Sequence, residues 1–269
     1  MDHDRISRRA VLVGGSALGV ALLTGQAGAG ELSPWSDLFH LDPTDSEMVT
    51  SRQVNGFSDV YFTIQQIVDA PGTLVNFDEY AVRLSNPTVD GDAIFKMFWS
   101  HFPEFIDPAL ASVSPYPDGD NDFFEGEGPG LGSILIFKVE TPFGIGHELA
   151  AVMVTRTPGT TWTFSTITVD SGDGGAHPVS GNRQFGFRAL PDGAGELFIR
   201  AVDRTNLNTA ELFITSEEDV LDGAHALWVA MQQRVSDFFQ QVANTEIVAP
   251  TRIVKSWSEV QKAVDNGEL

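Results

Sequence analysis

The chain has 269 residues and a formal net charge of −21, with 16 Lys and Arg against 37 Asp and Glu. So acidic a chain repels nucleic acid and anionic membranes. It has no cysteine, which excludes disulfides, iron–sulfur clusters, cysteine-ligated zinc and covalently attached c-type haem. The few lysines (Lys96, Lys138, Lys255, Lys262) and abundant aspartates read as a solubilising surface rather than a single acidic tail.

At the start, Ser7, Arg8 and Arg9 precede an apolar, Gly/Ala-rich run from Val11 to Leu23 and the small residues Ala27-Gly28-Ala29. This is the pattern of a twin-arginine export signal over residues 1–29, with a run too short and too glycine-rich for a strong membrane span. It predicts a transient partnership with the twin-arginine translocase, a mature chain beginning near Gly30, and a periplasmic or secreted location. The mature chain of roughly 240 residues, with a charge close to −22, is long enough for one large domain and its core. No later apolar run approaches spanning length, so no membrane span is expected in it.

Residues 30–79 are irregular, with Pro34, Pro43, Gly56 and scattered aromatics, and read as an extension packed on the main domain. Tyr80 to Ser85 alternate as a strand does; Pro87 and the Thr88/Asp90 caps then open a helix carrying Ile94, Phe95, Met97, Phe98 and Trp99, ended by Pro103 and Pro108. Tyr116 to Gly132 is a turn-rich loop. Five strand-like runs follow, 133–140, 148–155, 161–169, 183–190 and 196–204, rich in Val, Ile, Thr and Phe and split by Pro/Gly turns. Their short connections predict an antiparallel sheet. Ser216-Glu217-Glu218-Asp219 is a capping-box-like start to a long helix whose stripe runs from Leu221 through Trp228 and Met231 to Val242. That stripe requires a sheet face to cover it. Residues 246–269 read as a tail with a short amphipathic piece around Trp257, Val260 and Val264.

The order of a strand, short helices, a curved antiparallel meander and a long C-terminal helix resembles the START-like superfamily of helix-grip ligand-binding domains, which includes polyketide cyclases. Asp92-Ala93-Ile94-Phe95 through Phe105-Ile106-Asp107-Pro108 is similar to the helix and turn that follow the first strand there. His177-Pro178-Val179-Ser180-Gly181, Phe185, Asp192-Gly193 and Phe198-Ile199-Arg200-Ala201 resemble a pattern in one START-like family of unknown function. The likeness covers roughly residues 80–245. It implies an α+β helix-grip fold with a cavity between sheet and helix, and no catalytic residue carries over, since members differ in chemistry and many only bind.

Three functional readings stand side by side. In the first, Phe95, Phe98, Met153, Trp162, Phe164, Phe185, Phe198, Trp228 and Met231, with Phe187, line a pocket for a small hydrophobic molecule; an ordinary core would bury the same faces. In the second, the cavity performs acid/base or hydrolytic chemistry with His177 or His225 as base and Arg200 as anion stabiliser, His147 and Arg183 being further candidates. Each has a structural alternative: His177 precedes Pro178 and could only shape a turn, His225 lies at the edge of the helix stripe, and Arg200 could pair with a strand acid. The third reading is a non-catalytic structural or interaction protein with a filled core. His147-Glu148 lacks the second histidine of a zinc-protease helix, and Ser180 lacks the glycine of a nucleophile elbow. Asp118, Asp120 and Asp122 alternate like calcium ligands, but Phe123 stands where that loop needs glycine, which favours a solvated acidic loop. No cofactor is implied.

Overall fold

A computed structural model describes residues 31–43, 62–116, 122–140, 147–169, 176–207 and 216–269. Residues 1–29, read above as an export signal, Asp118, Asp120 and the side chain of Asp122 lie outside the described residues, as does the side chain of His147. Its centre is a curved nine-stranded antiparallel sheet gripping a long C-terminal helix, the helix-grip α+β fold.

The strands are β1 (Phe62–Ile64), β2 (Leu74–Ser85), β3 (Ala111–Tyr116), β4 (Ile134–Glu140), β5 (His147–Arg156), β6 (Thr161–Val169), β7 (Val179–Ala189), β8 (Gly195–Thr205) and β9 (Asn244–Ser256). Their order across the sheet is β3-β4-β5-β6-β7-β8-β2-β9, with β1 paired beside β6. From β3 to β8 each strand folds back on the one before, as the Pro/Gly turns predict. In the β7–β8 hairpin Gly193 takes φ 82°, a left-handed conformation open to glycine at no steric cost.

Three short helices lie between β2 and β4: α2 (Gly91–Ser100), α3 (Phe102–Phe105) and α4 (Asp122–Glu125), after α1 (Ser36–Phe39) near the start. Asp90 caps α2 by accepting from the Ala93 N–H at 2.8 Å. Pro103 does not end the helical region; it sits in the first turn of α3, where a missing N–H costs nothing. Helix α5 (Glu217–Phe239) begins at the predicted capping box, Ser216 and Asp219 bonding each other's backbone N–H groups. The carboxylate of Glu217 accepts from the backbone N–H groups of Thr73 and Leu74 and from the hydroxyl of Thr205, tying the helix to the start of β2 and the end of β8.

Residues 246–269, expected as a tail, are part of the sheet: β9 pairs with β2 along most of its length and leads into α6 (Trp257–Asp265). Of residues 30–79, read as an extension, 62–64 and 74–79 belong to strands β1 and β2, and 31–43 pack against the sheet. Leu32, Trp35, Leu38 and Phe39 join Val260, Ala263 and Leu269 over Val75, Phe77 and Val202 on the face away from α5. The two ends of the described chain meet there, with His40 Nε2 3.1 Å from the Leu269 carbonyl. The sheet thus has a grip face toward α5 and an outer face covered by the chain ends.

Candidate functional site in the grip

Alternation along each strand decides which side chains enter the grip. Tyr80, Val82 and Leu84 of β2, Val152 and Val154 of β5, Trp162 and Phe164 of β6, Phe185 of β7 and Leu197 and Ile199 of β8 meet α2, α3, α4 and Leu227, Trp228, Met231, Val235 and Phe239 of α5. Eight of the ten predicted lining residues are brought together there: Phe95, Phe98, Trp162, Phe164, Phe185, Trp228 and Met231, with Phe187 partly buried against them. Two are not. Met153 is one residue out of step with Val152 and Val154, and packs on the outer face with Ile134, Ile167 and Val169. Phe198 falls between Leu197 and Ile199 and also turns outward, where the Arg188 guanidinium lies 4.9 Å from its ring.

Aromatic rings fill the grip. Phe102, which the sequence analysis did not single out, stands at the middle with Phe123, Phe137, Trp162, Phe164 and Phe185 set edge-on around it at 5.3 to 6.2 Å. Trp162 stacks on Phe185 with centroids 4.9 Å apart and an interplanar angle of 8°. Such offset and edge-on pairs are the preferred geometries of aromatic quadrupoles. The space among Tyr80, Val82, Phe98, Ile199, Gln232 and Val235 measures about 10 Å³, no more than one water needs. A larger, open groove of about 520 Å³ runs outside, between α3 and the C-terminal half of α5. Among the described residues one buried polar atom of the grip is unsatisfied, the indole Nε1 of Trp162, which has no hydrogen-bond partner.

A charged cluster closes the end of the grip beneath the first turns of α5. Arg183 is only 7% exposed. It donates to both oxygens of Asp78 (2.8 and 3.2 Å) and to Asp203 (2.6 Å), while its guanidinium lies 4.4 Å from the Trp228 ring. Burial opposes that charge, but the two carboxylates outweigh it and hold the guanidinium more firmly protonated than usual. Asp78 also accepts from Asn76 at 2.7 Å and from the Tyr80 hydroxyl at 3.4 Å. That hydroxyl stands 2.8 Å from Nδ1 of His225 on α5. Burial, then the Asp78 charge, raises the Tyr80 phenol well above its usual range, and burial followed by the Arg252 charge lowers the His225 imidazole. Arg252 itself, on β9, bonds Asn76 and Asp222. Of the sequence candidates, His225 and Arg183 belong to this cluster.

His177 and Arg200 do not. His177 shapes a turn: its Nδ1 lies 2.9 Å from the Val179 carbonyl, its N–H donates to Gln65 and its carbonyl accepts from Gln65 and Asn206. Arg200 lies on the outer face because it alternates with Ile199 and Ala201. There it donates to the Pro34 carbonyl and to Gln184, and pairs with Asp37 at 2.7 Å, fastening the N-terminal segment. Among the described residues no group of three or more His, Asp or Glu is placed to hold a metal, and no helix is long and apolar enough to cross a membrane.

Two groups, the buried Asp203 and the half-buried His177, set opposing pH dependences. Burial, reinforced by the Asp78 charge and offset in part by Arg183, pushes Asp203 up to about 6. Its contribution to stability is therefore complete below the unfolded carboxylate value of about 4 and is lost as pH rises through about 6. Burial pushes His177 down to about 4, so its contribution is present above about 6.5 and lost as pH falls through about 4. Asp203→Asn removes the first and leaves the second. The variant's stability is expected to rise with pH between about 4 and 6.5 more steeply than that of the wild type. Urea midpoints at several pH values check this, and parallel profiles would contradict it.

No protein-family model matches the chain, and no curated protein matches it. Solved structures do. The di-domain ARO/CYC StfQ of the steffimycin biosynthetic pathway aligns at 13% identity over 63% of this chain and 52% of its own, with a TM-score of 0.41. The chain thus spans about half of that protein. A START superfamily protein from Mycobacterium smegmatis aligns at 11% identity over 61% of this chain and 98% of its own, TM-score 0.40. The Zhui aromatase/cyclase from Streptomyces sp. R1128 aligns at 10% identity over 62% and 94%, TM-score 0.40.

Proposed function

We propose that this protein binds a small, largely apolar molecule carrying a hydrogen-bond acceptor between the sheet and α5, and that the grip opens to admit it. The observation that carries the reading is the Trp162 indole N–H, buried among aromatic rings without an acceptor. An orphaned buried donor costs about 1–3 kcal/mol, and a phenylalanine would fill an ordinary core without that cost. A ligand acceptor would relieve it. The space there is small, so entry displaces aromatic side chains, and the short helices α2 and α3 are the elements that would move. Native mass spectrometry of the purified protein, with solvent extraction of whatever co-purifies, tests the reading. A stoichiometric hydrophobic adduct that weakens in Trp162→Phe is the expected result; an adduct-free protein that also fails to bind a panel of aromatic and lipid probes would overturn it.

A second reading, proton transfer to or from the bound molecule, is favoured by the Tyr80–His225 contact. His225, kept neutral by burial and Arg252, would take the proton at Nε2, while its Nδ1–H donates to the Tyr80 hydroxyl and that hydroxyl to Asp78, which orients the ring and sets a carboxylate to stabilise the imidazolium. Tyr80→Phe and His225→Gln would then retain the ligand and lose turnover.

The proposal includes export through residues 1–29. Replacing Arg8 and Arg9 together by lysine is expected to abolish export, leaving uncleaved precursor in the cytoplasm, while the exported wild type should begin near Gly30. Intact-mass measurement of periplasmic and cytoplasmic fractions reads both; unchanged export of the double variant would contradict it.

A further inference from the structure

We propose that β9 is the interface of a symmetric dimer, pairing antiparallel with the β9 of a second copy so that Glu246 of each faces Lys255 of the other. β9 stands at one end of the strand order, bonded to β2 on one side, with no strand among the described residues on the other. An open edge of this length is a template for pairing. Of the five well-exposed large apolar side chains among the described residues, three lie on it, Ile247 at 41%, Val248 at 37% and Val254 at 39%.

The register follows from the bulge. Opposite Glu79 and Ala81 the pairing slips, so that Glu79 meets Thr251 but Ala81 meets Val248. One extra residue on β9 reverses the alternation across that point. Ile247, opposite Val82, and Val254, opposite Asn76, therefore both lie on the grip side, although an odd separation would place them on opposite faces of a regular strand. Val248 and Ile253, opposite Ala81 and Phe77, both lie on the outer side, and so do Glu246 and Lys255, opposite Arg83 and Val75. A two-fold axis between Pro250 and Thr251 keeps every residue on its own face. It brings Glu246 to Lys255, Ile247 to Val254, Val248 to Ile253 and Thr245 to Ser256, each pair occurring twice. Opposite charges face each other and apolar residues meet apolar residues, the pairings that stabilise adjacent strands. Pro250, which has no N–H to give, falls at the axis, where the bulge interrupts the ladder anyway. Lys255 lies 3.8 Å from Glu31 of its own copy and has ammonium hydrogens left for a second carboxylate.

Sedimentation velocity and light scattering of the intact protein over a concentration series test this. The wild type is expected to dimerise. Glu246→Lys or Lys255→Glu alone turns two attractive pairs into two repulsive ones and should weaken the dimer about tenfold, and the double charge swap should restore it. Ile247→Lys, at an exposed position that does not threaten folding, should give monomer with an unchanged circular dichroism spectrum. A wild type that stays monomeric at hundreds of micromolar would overturn the proposal and leave β9 for a different partner's strand. A dimer indifferent to both charge swaps would also overturn it, since it would use another face.

Discussion

Asp78→Ala is expected to destabilise the protein by about 3–5 kcal/mol, the cost of removing one partner from a buried ion pair. The magnitude follows from what the carboxylate serves. It takes both arms of Arg183, the amide of Asn76 and the hydroxyl of Tyr80. Alanine would leave Arg183 with Asp203 alone, held through a single 2.6 Å bond, and would leave the Asn76 amide and the Tyr80 hydroxyl without this acceptor. Asp203→Asn should be much milder at pH 7, because Asp78 keeps its two-armed hold on the guanidinium. Urea unfolding of the two variants side by side reads the difference. If Asp78→Ala cost under about 1 kcal/mol, water would be reaching Arg183 and the cluster could not count as buried.

The fold was legible where a cap or a Pro/Gly turn marks the end of an element, and obscure where polar residues face inward or a proline interrupts a strand. The capping box at Ser216 and the stripe through Leu221, Trp228 and Met231 specify α5, and the Pro/Gly turns mark the hairpins from β4 to β8. β2 was read only from Tyr80 because Val75 and Phe77 are covered by the chain ends while Asn76 and Asp78 enter the grip. With polar residues inward and apolar ones outward, its first half shows no signal of a half-buried strand. β9 was lost to Pro250, which argues against a strand unless a bulge absorbs it. Among site residues, Met153 and Phe198 sit on strands covered on both faces, so composition could not tell which face each occupies; counting in twos from Trp162 or Phe185 is secure only within one strand. The Asp78–Arg183–Asp203 cluster gathers three strands and left no local pattern. Its signal was weaker, two acids at strand positions that ordinarily take Val or Ile.

Phe102→Ala should cost about 3–5 kcal/mol, the range for truncating a fully buried aromatic residue, and should also convert the closed grip into an open one. Five rings stand edge-on to Phe102, each held by strand backbone or by further rings, so the hole can collapse only in part. A dry space bounded by Trp162, Phe164 and Phe185 would remain, of the kind that takes up xenon or benzene. Phe102 sits on α3, four residues long, whose Phe105 packs on Phe98 of α2 and on Phe238 and Phe239 of α5. The side chain that plugs the grip is thus carried by a single helical turn. If the grip opens by withdrawing this plug, the variant should bind benzene measurably where the wild type does not, and should hold any co-purifying ligand at least as well despite its lower stability. Phe198→Ala is the control, since that ring lies on the outer face under Arg188; it should lose stability without gaining benzene binding. Loss of stability in Phe102→Ala with no uptake of benzene or xenon would mean that the aromatic cluster closes over the gap, and that the grip works as a packed core rather than a site.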